Sequence, residues 1–450
     1  MTSLEQLGAF VAGHRPDEAA RAAARLHVAD SIGAWIAAKG TAEGRALLAF
    51  RKPGAPLHER LAIHCALARL SEVDDIHLGA MITPGAIVIP TALTVAATLA
   101  DTGADDLAAA IVVGYEAMVR LGSAIDGPSV LYRGIWPSYF AAPFGAAAVA
   151  ARLMRLDATQ TAHALATALI MAAPGTGHHA AVTTARWLAV GHAAARGVQA
   201  AEAAQGGFTS DLNLADGDFL KNIYGIAPDA AVLGGGLGEL ALARVSYKPW
   251  CAARQTMAAT QALKEVLAEG VAADSIARIG VAVLPPHLKM IDHGIVAGDR
   301  FSHLTSAPYQ MALAALAPDL AYGLTPGPVS PALSAFMGRI KVRAEEGLLA
   351  ADYPRAWAAH VTIATRSKRH EHTVTHVPGD PARPFGEDDL RRKFVRVVAG
   401  TLEREPAEAV FALALDAVVR PADTLRELER IAAISVRAPV QSASEHGRAC

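Results

Sequence analysis

The stretch SEVDDIHLGAMITPGAIVIP, residues 71–90, gathers Glu72, Asp74, Asp75 and His77 just ahead of a Pro-Gly turn and an apolar run. Carboxylates and an imidazole in such proximity suit a metal site or general acid/base catalysis. Asp75 and His77 stand two positions apart, which on a helix puts them on different faces, so joint action requires irregular backbone and further groups from elsewhere. Residue types alone leave a structural reading equally open: Asp74 or Asp75 caps the next turn and His77 is a hydrogen-bonded loop histidine.

Three further stretches carry chemistry. YKPWCAARQTM (247–257) sets Lys248 and Arg254 around a Pro-Trp turn, ahead of the helix pattern QTMAATQALKEVL. Two cations beside a helix N-terminus make a carboxylate or phosphate site, because backbone N–H groups and side chains favour the same charge; the alternative is a solvated cationic turn. PGTGHHAAVTTARWLAVGHAAARG (174–197) holds His178, His179, Arg186 and His192 in apolar surroundings. Arg186 and His192 can face a pocket, or Arg186 can snorkel to water; adjacent histidines are a weak metal signal. RFSHLTSAPYQMALAAL (300–316) places Tyr309 at the start of an apolar helix, where a phenol can donate a proton, bind a carboxylate or simply pack. No GxSxG elbow, Walker loop, HExxH or CxxC pairing occurs, which excludes the usual signatures of serine hydrolases, nucleotide hydrolases and zinc sites. The glycine-rich LGGGLG (233–238) lacks the preceding strand and the glycine order of a dinucleotide site.

These groups need a scaffold, and the composition supplies one. The 450 residues are 52% hydrophobic and 19% charged, enough for large buried cores and more than one domain. A formal charge of -2 gives no global field for nucleic acid or anionic membrane, so any anion site is local. Cys65, Cys251 and Cys450 are odd in number and far apart, which argues for a reducing cytoplasm and against a disulfide framework. The N-terminal segment reads as two helices, and AIVIPTALTVAATLA (86–100) is too short for a membrane span and contains Pro90. Alanine-rich segments with helical spacing, such as PDEAARAAARLHVADSIGAWIA and DDLAAAIVVGYEAMVRLGSAI, fill residues 1–244 and predict a many-helix bundle whose small residues let helices approach closely. The texture then changes: SIARIGVAVLP, RIKVRAE and AAHVTIATRSKRHEHTVTHV alternate as strands and predict an α+β domain over 245–385. GEDDLRRKFVRVVAGTL and PADTLRELERIAAIS revert to helix, so 386–450 is expected to return to the first domain. The fold class expected is therefore mainly α, a large helical domain from both chain ends with an inserted α+β lid.

The segments DDIHLGAMITPGAIVIPTAL, GYEAMVRLG, PSYFAAPFGAAAVAARLM, ALATALIMAAPGT, VGHAAARGVQAAEAAQGGFTS and YKPWCAARQT, in this order and spacing, resemble the MmgE/PrpD family, which contains 2-methylcitrate dehydratase, cis-aconitate decarboxylase and iminodisuccinate epimerase. The resemblance implies an enzyme with neither metal nor organic cofactor, usually a homodimer, that removes a proton next to a carboxylate of a small di- or tricarboxylate. Residue by residue, it maps the family's Asp onto Glu72, keeps Asp74, Asp75, His77, Lys248 and Tyr309, and puts Thr83 and Trp136 where the family has histidines and Arg186 where it has lysine. It implies Lys248 as base or electrostatic stabiliser, Tyr309 as acid, and Asp75 and His77 as orienting or proton-shuttling groups. Glu72, Thr83, Trp136, Ser138, Arg186 and Arg254 would bind substrate. Thr and Trp cannot relay protons as imidazole does, and a guanidinium stays protonated, so the resemblance implies a lyase with altered substrate. An epimerase or a non-catalytic carboxylate-binding protein are the alternatives.

Overall fold

The computed structural model describes residues 1–52, 54–172, 183–236 and 238–433. His178, His179 and Cys450 lie outside them.

Helices α1 (Ser3–Gly13), α2 (Glu18–Ala38), α3 (Ala42–Phe50), α4 (Leu57–Leu70), α5 (Gly85–Ala96), α6 (Ala104–Ala124), α7 (Gly127–Leu131), α8 (Pro137–Leu153), α9 (Ala158–Ile170), α10 (Ala185–Gln205), α11 (Phe219–Tyr224) and α12 (Ala230–Gly234) build the helical domain. Their starts follow local chemistry: the side chains of Thr2, Asp17, Thr41 and Asp157 each accept a backbone N–H of the first turn. Their packing follows residue size. Gly191 in α10 lies against α4 so closely that an added Cβ would stand 1.9 Å from the Ala62 carbonyl oxygen, and Gly197 meets the Pro143 carbonyl of α8 in the same way. Gly191→Ala must push two backbones apart and is expected to cost about 3 kcal/mol, read as a lowered urea midpoint. α6 is long and apolar enough to cross a membrane, but 94% of its most apolar stretch is buried inside the fold, which makes it a core helix. Pro90 sits within α5, all of whose residues are buried.

The second unit begins with α13 (Arg254–Ala268) and continues through β1 (Ile276–Val283), α14 (Pro285–Ile291), α15 (Arg300–Thr305), α16 (Ala307–Leu316), α17 (Pro331–Met337), β2 (Ile340–Ala344), β3 (Ala359–Thr365) and β4 (Arg369–Val374). The sheet order is β2-β1-β3-β4, with β1 parallel to β2 and antiparallel to β3, and β3 antiparallel to β4. α13 packs on the sheet and α16 on α13, so the lid has its own apolar core, separate from that of the bundle. The three stretches expected as strands are β1, β2 and the β3–β4 pair.

Helices α18 (Glu387–Val398), α19 (Arg404–Leu415) and α20 (Pro421–Ala433) then pack on α2 and α5 of the first domain. The fold is thus mainly α with a small α+β part. The returning segment also reaches the loop that carries the acids: Lys393 of α18 bonds Asp30 of α2 at 2.5 Å and the Val73 carbonyl at 3.0 Å, and all three groups are buried.

Candidate active site

Two loops meet between the helical domain and the lid. Ile76 and Ser246 exchange backbone hydrogen bonds of 2.9 and 2.8 Å, which aligns the acidic loop with the segment carrying Lys248. That segment is pinned on its other side by Ala253 N–H to the Leu304 carbonyl (2.9 Å) and Cys251 N–H to the Ala321 carbonyl (3.0 Å). Glu72 adopts a left-handed backbone with φ 59°, a conformation that costs a non-glycine residue about 1–3 kcal/mol and persists only where its surroundings hold it. Lys248 holds it, donating from Nζ to the Glu72 carbonyl at 3.1 Å.

The result is a buried network of four charges. Arg69 at the end of α4 pairs with Glu72 at 2.9 Å and Asp74 at 3.3 Å, and Lys248 pairs with Asp74 at 3.2 Å and Glu72 at 3.6 Å. Burial raises both carboxyls, but the field of Arg69, Lys248 and Arg300 outweighs it at Glu72, which lies below the usual carboxylate range. At Asp74 burial prevails over Arg69 and Lys248, aided by the negative neighbours Glu72 and Asp75, and its carboxyl lies above that range.

A small cavity of about 60 Å³ is lined by Arg69, Glu72, Thr83, Trp136, Ser138, Lys248, Ala253, Arg254 and Gln255, together with apolar residues that include Ile76, Met81, Met290, Phe301 and Leu304. Thr83 bonds Ser138 Oγ through both its amide (2.9 Å) and its hydroxyl (3.0 Å). Arg254 opens α13 and is almost fully buried; one nitrogen donates to Asp380 at 2.7 Å, while Nε and Nη1 have no partner among the described residues. Ala253 gives α13 no side-chain cap, so the positive end of that helix stands at the cavity. A larger, mostly apolar crevice of about 900 Å³ lies against α3 and the start of α10, with Arg300 and His303 of α15 in its wall. The next residues of α15, Phe301, Leu304 and Thr305, face the small cavity, so this short helix divides the two. Arg69, Glu72 and Lys248 of the charged network line the smaller space.

Glu72, Thr83, Trp136, Ser138, Lys248 and Arg254 therefore line one cavity. Arg186 stands close by: its guanidinium stacks on Trp136 at 5.1 Å and Phe301 at 4.6 Å, two rings of the cavity wall, and its Nε donates to the Thr183 carbonyl at 3.1 Å. It does not line the cavity itself.

Three expected catalytic groups are elsewhere. Asp75 points back into the helical domain, where it accepts from the Gly85 amide (2.8 Å) and the Tyr115 hydroxyl (2.7 Å) and pairs with His27 Nδ1 (2.8 Å). It anchors the start of α5, a positioning role. His77 closes its own turn through backbone bonds with Ile82, and its Nδ1 accepts the Ala80 amide at 3.1 Å. Burial, reinforced by Arg244, pushes its imidazole down to about 3, so it is neutral near pH 7, and it is not among the residues that line the cavity. Tyr309 is buried in the lid core, edge-on to His303 at 4.9 Å, with its phenol raised by burial. The ring lies on the wrong face of its helix to line the cavity.

The sequence reading passed over two groups. Arg69, three residues before Glu72 on a helix end, fits an i,i+3 ion pair that its sequence spacing signals. Tyr139, next to Ser138, has a buried hydroxyl without a hydrogen-bond partner among the described residues; its phenol is raised by burial and lies in the field of Arg69, Glu72 and Arg186. Nothing in the apolar PSYFAAPFG run distinguished it from a packing residue.

The His77 pKa has a measurable consequence. Its folded value near 3 lies below the ordinary 6.5, so between those pH values unfolding takes up a proton. The contribution is present in full above pH 6.5 and is lost as pH falls through the window, at up to about 1.4 kcal/mol per pH unit. Comparing urea unfolding of wild type and His77→Gln from pH 7 to pH 4, the variant is expected to show a slope shallower by up to that amount.

No curated protein matches this chain. Family profiles do: the MmgE/PrpD N-terminal domain matches residues 60–222 and the MmgE/PrpD C-terminal domain residues 250–417, which together cover most of the sequence. The first match contains the acidic loop, Thr83 and Trp136, and the second contains Arg254 and the whole lid, and on this basis the chain belongs to the MmgE/PrpD family.

Proposed function

We propose that the protein is a cofactor-independent lyase of the MmgE/PrpD type, acting on a small carboxylate by removing a proton from the carbon next to the carboxylate. Dehydration or hydration of a di- or tricarboxylate is the family default. The observation that carries the reading is the contact of Lys248 Nζ with Asp74 at the wall of a small cavity that also holds Arg254 and the α13 N-terminus. The Asp74 carboxyl, held above its usual range by burial, stands in hydrogen-bond contact with the ammonium and can take a proton from it. Lys248 hands a proton to Asp74, and its neutral amine takes the substrate C–H proton. The electron pair moves into the substrate carboxylate, and the enolate-like charge is stabilised by Arg254 and the helix N-terminus. As the electron pair returns to form the double bond, hydroxide leaves the adjacent carbon, takes a proton from the Lys248 ammonium and departs as water, and Asp74 returns its proton to Lys248. Thr83, Ser138 and Trp136 shape the cavity.

A reducing cytoplasm, in keeping with the buried free thiols of Cys65 and Cys251, and the homodimer usual in the family complete the proposal. The second reading is a non-catalytic carboxylate-binding protein. It draws on the absence of any histidine from the cavity lining among the described residues, and on the engagement of Lys248 by three acceptors. Incubation in deuterated water with citrate, 2-methylcitrate, cis-aconitate, small dicarboxylates and branched monocarboxylates separates the two. Deuterium uptake into one of them, followed by NMR, is expected; thermal stabilisation by a carboxylate without exchange into any establishes the binding protein instead.

A further inference from the structure

The cavity is built for fewer charges than the family default would bring. Its three lining cations are matched by three buried carboxylates: Arg69 and Lys248 by Glu72 and Asp74, and Arg254 by Asp380. The Lys248 ammonium donates to the Glu72 carbonyl at 3.1 Å and to Asp74 at 3.2 Å, and its charge is also paired with the Glu72 carboxylate at 3.6 Å. Arg300, whose field also reaches Glu72, is paired with Glu43 at 3.2 Å. Arg186, stacked on Trp136 and Phe301 outside the lining, supplies at most one more positive charge.

Among the described residues one carboxylate seat remains. It is formed by the uncapped N-terminus of α13 and by Arg254, a fully buried guanidinium with Nε and Nη1 unpartnered. Thr83, Ser138 and Gln255 add neutral polar groups to the lining, among apolar residues that include Trp136 and Ala253, and none of these supplies a further positive charge. The volume, about 60 Å³, holds roughly four to six water-sized positions, room for a small carboxylate.

We propose that the site takes a compact monocarboxylate, a branched 2- or 3-hydroxy acid or its unsaturated product, with its carboxylate on Arg254 and the α13 N-terminus. This rests on the carboxylate proton-transfer reading above. The lining charges are already balanced, so every carboxylate adds uncompensated negative charge to a largely buried space and the cost rises with each one.

The test holds the 2-hydroxy-2-alkyl centre constant while the charge rises: 2-hydroxy-2-methylbutanoate, 2-methylmalate and citrate, titrated calorimetrically into the full-length protein and followed for deuterium exchange. The monocarboxylate is expected to bind about 100-fold more tightly than 2-methylmalate, and citrate not measurably. Binding of 2-methylmalate or citrate as tight as the monocarboxylate or tighter overturns the inference and leaves the lyase reading standing. Absence of binding and exchange for all three overturns both. Glu72→Gln removes one internal negative charge, so the mono-to-dicarboxylate affinity ratio should fall at least about tenfold. A folded Glu72→Gln protein with an unchanged ratio overturns the charge argument; should that variant not fold, the wild-type titration decides.

Discussion

Lys248→Met is expected to abolish solvent deuterium exchange into the substrate, a loss of about 10²–10⁴-fold. It also leaves Glu72 and Asp74 to share Arg69 alone in a buried site, and breaking a buried ion network by removing one partner costs about 3–5 kcal/mol. The two effects separate with Lys248→Arg. A guanidinium keeps the positive charge but does not deprotonate, so this variant should recover most of the lost stability and none of the exchange. Exchange by Lys248→Arg at the wild-type rate would remove Lys248 from the role of base and leave it an electrostatic one. The measurement is the NMR exchange rate at saturating carboxylate, with the urea midpoint followed in parallel.

Asp75→Ala is expected to destabilise the protein by about 3–5 kcal/mol without touching the cavity. Its carboxylate is fully buried and joins three elements: the Gly85 amide at the start of α5, Tyr115 of α6 and His27 of α2. Removal orphans the amide and the phenol, and buried donors without partners bear the full desolvation penalty. The site has no slack, since a Cβ on Gly85 would lie 2.6 Å from Ser31 Oγ and 2.7 Å from both Asp75 oxygens. Urea unfolding with an unchanged m value and a lowered midpoint is the expected result. Asp75→Asn, which keeps an acceptor for Gly85, should lose less. A purely catalytic Asp75 would give the opposite pattern, lost exchange with wild-type stability.

The contrast between Asp74 and Asp75 shows where legibility in the sequence ends. Neighbours in the chain, they point to opposite sides of a loop: Asp74 to Lys248 and Arg69, Asp75 to His27 and Tyr115. The left-handed residues Glu72 and Met81 and the short pairing of His77 with Ile82 set that division, and no periodicity encodes it. His77 was misjudged for the same reason, because a bond to the Ala80 amide turned the ring into its own turn. Tyr309 illustrates a different limit. Its place at a helix start was legible, but which face of that helix meets the lid core depends on how α16 lies against α13.

What the sequence determined by itself is what local rules and composition can carry. Small residues at helical spacing require close helix packing, alternation in three short stretches requires strands, and the cations of YKPWCAARQ beside a helix start make an anion seat. The replacement of imidazoles by Thr83 and Trp136 was likewise plain from residue identity. The tertiary structure alone decided which charges meet. Arg69 and Lys248 lie far apart in the chain, and their pairing with the same two acids comes from the Ile76–Ser246 bridge that joins two loops across the domain boundary. Electrostatic energy depends on distance and burial in space, neither of which chain order fixes. The charge balance of the cavity is therefore a property of the folded molecule.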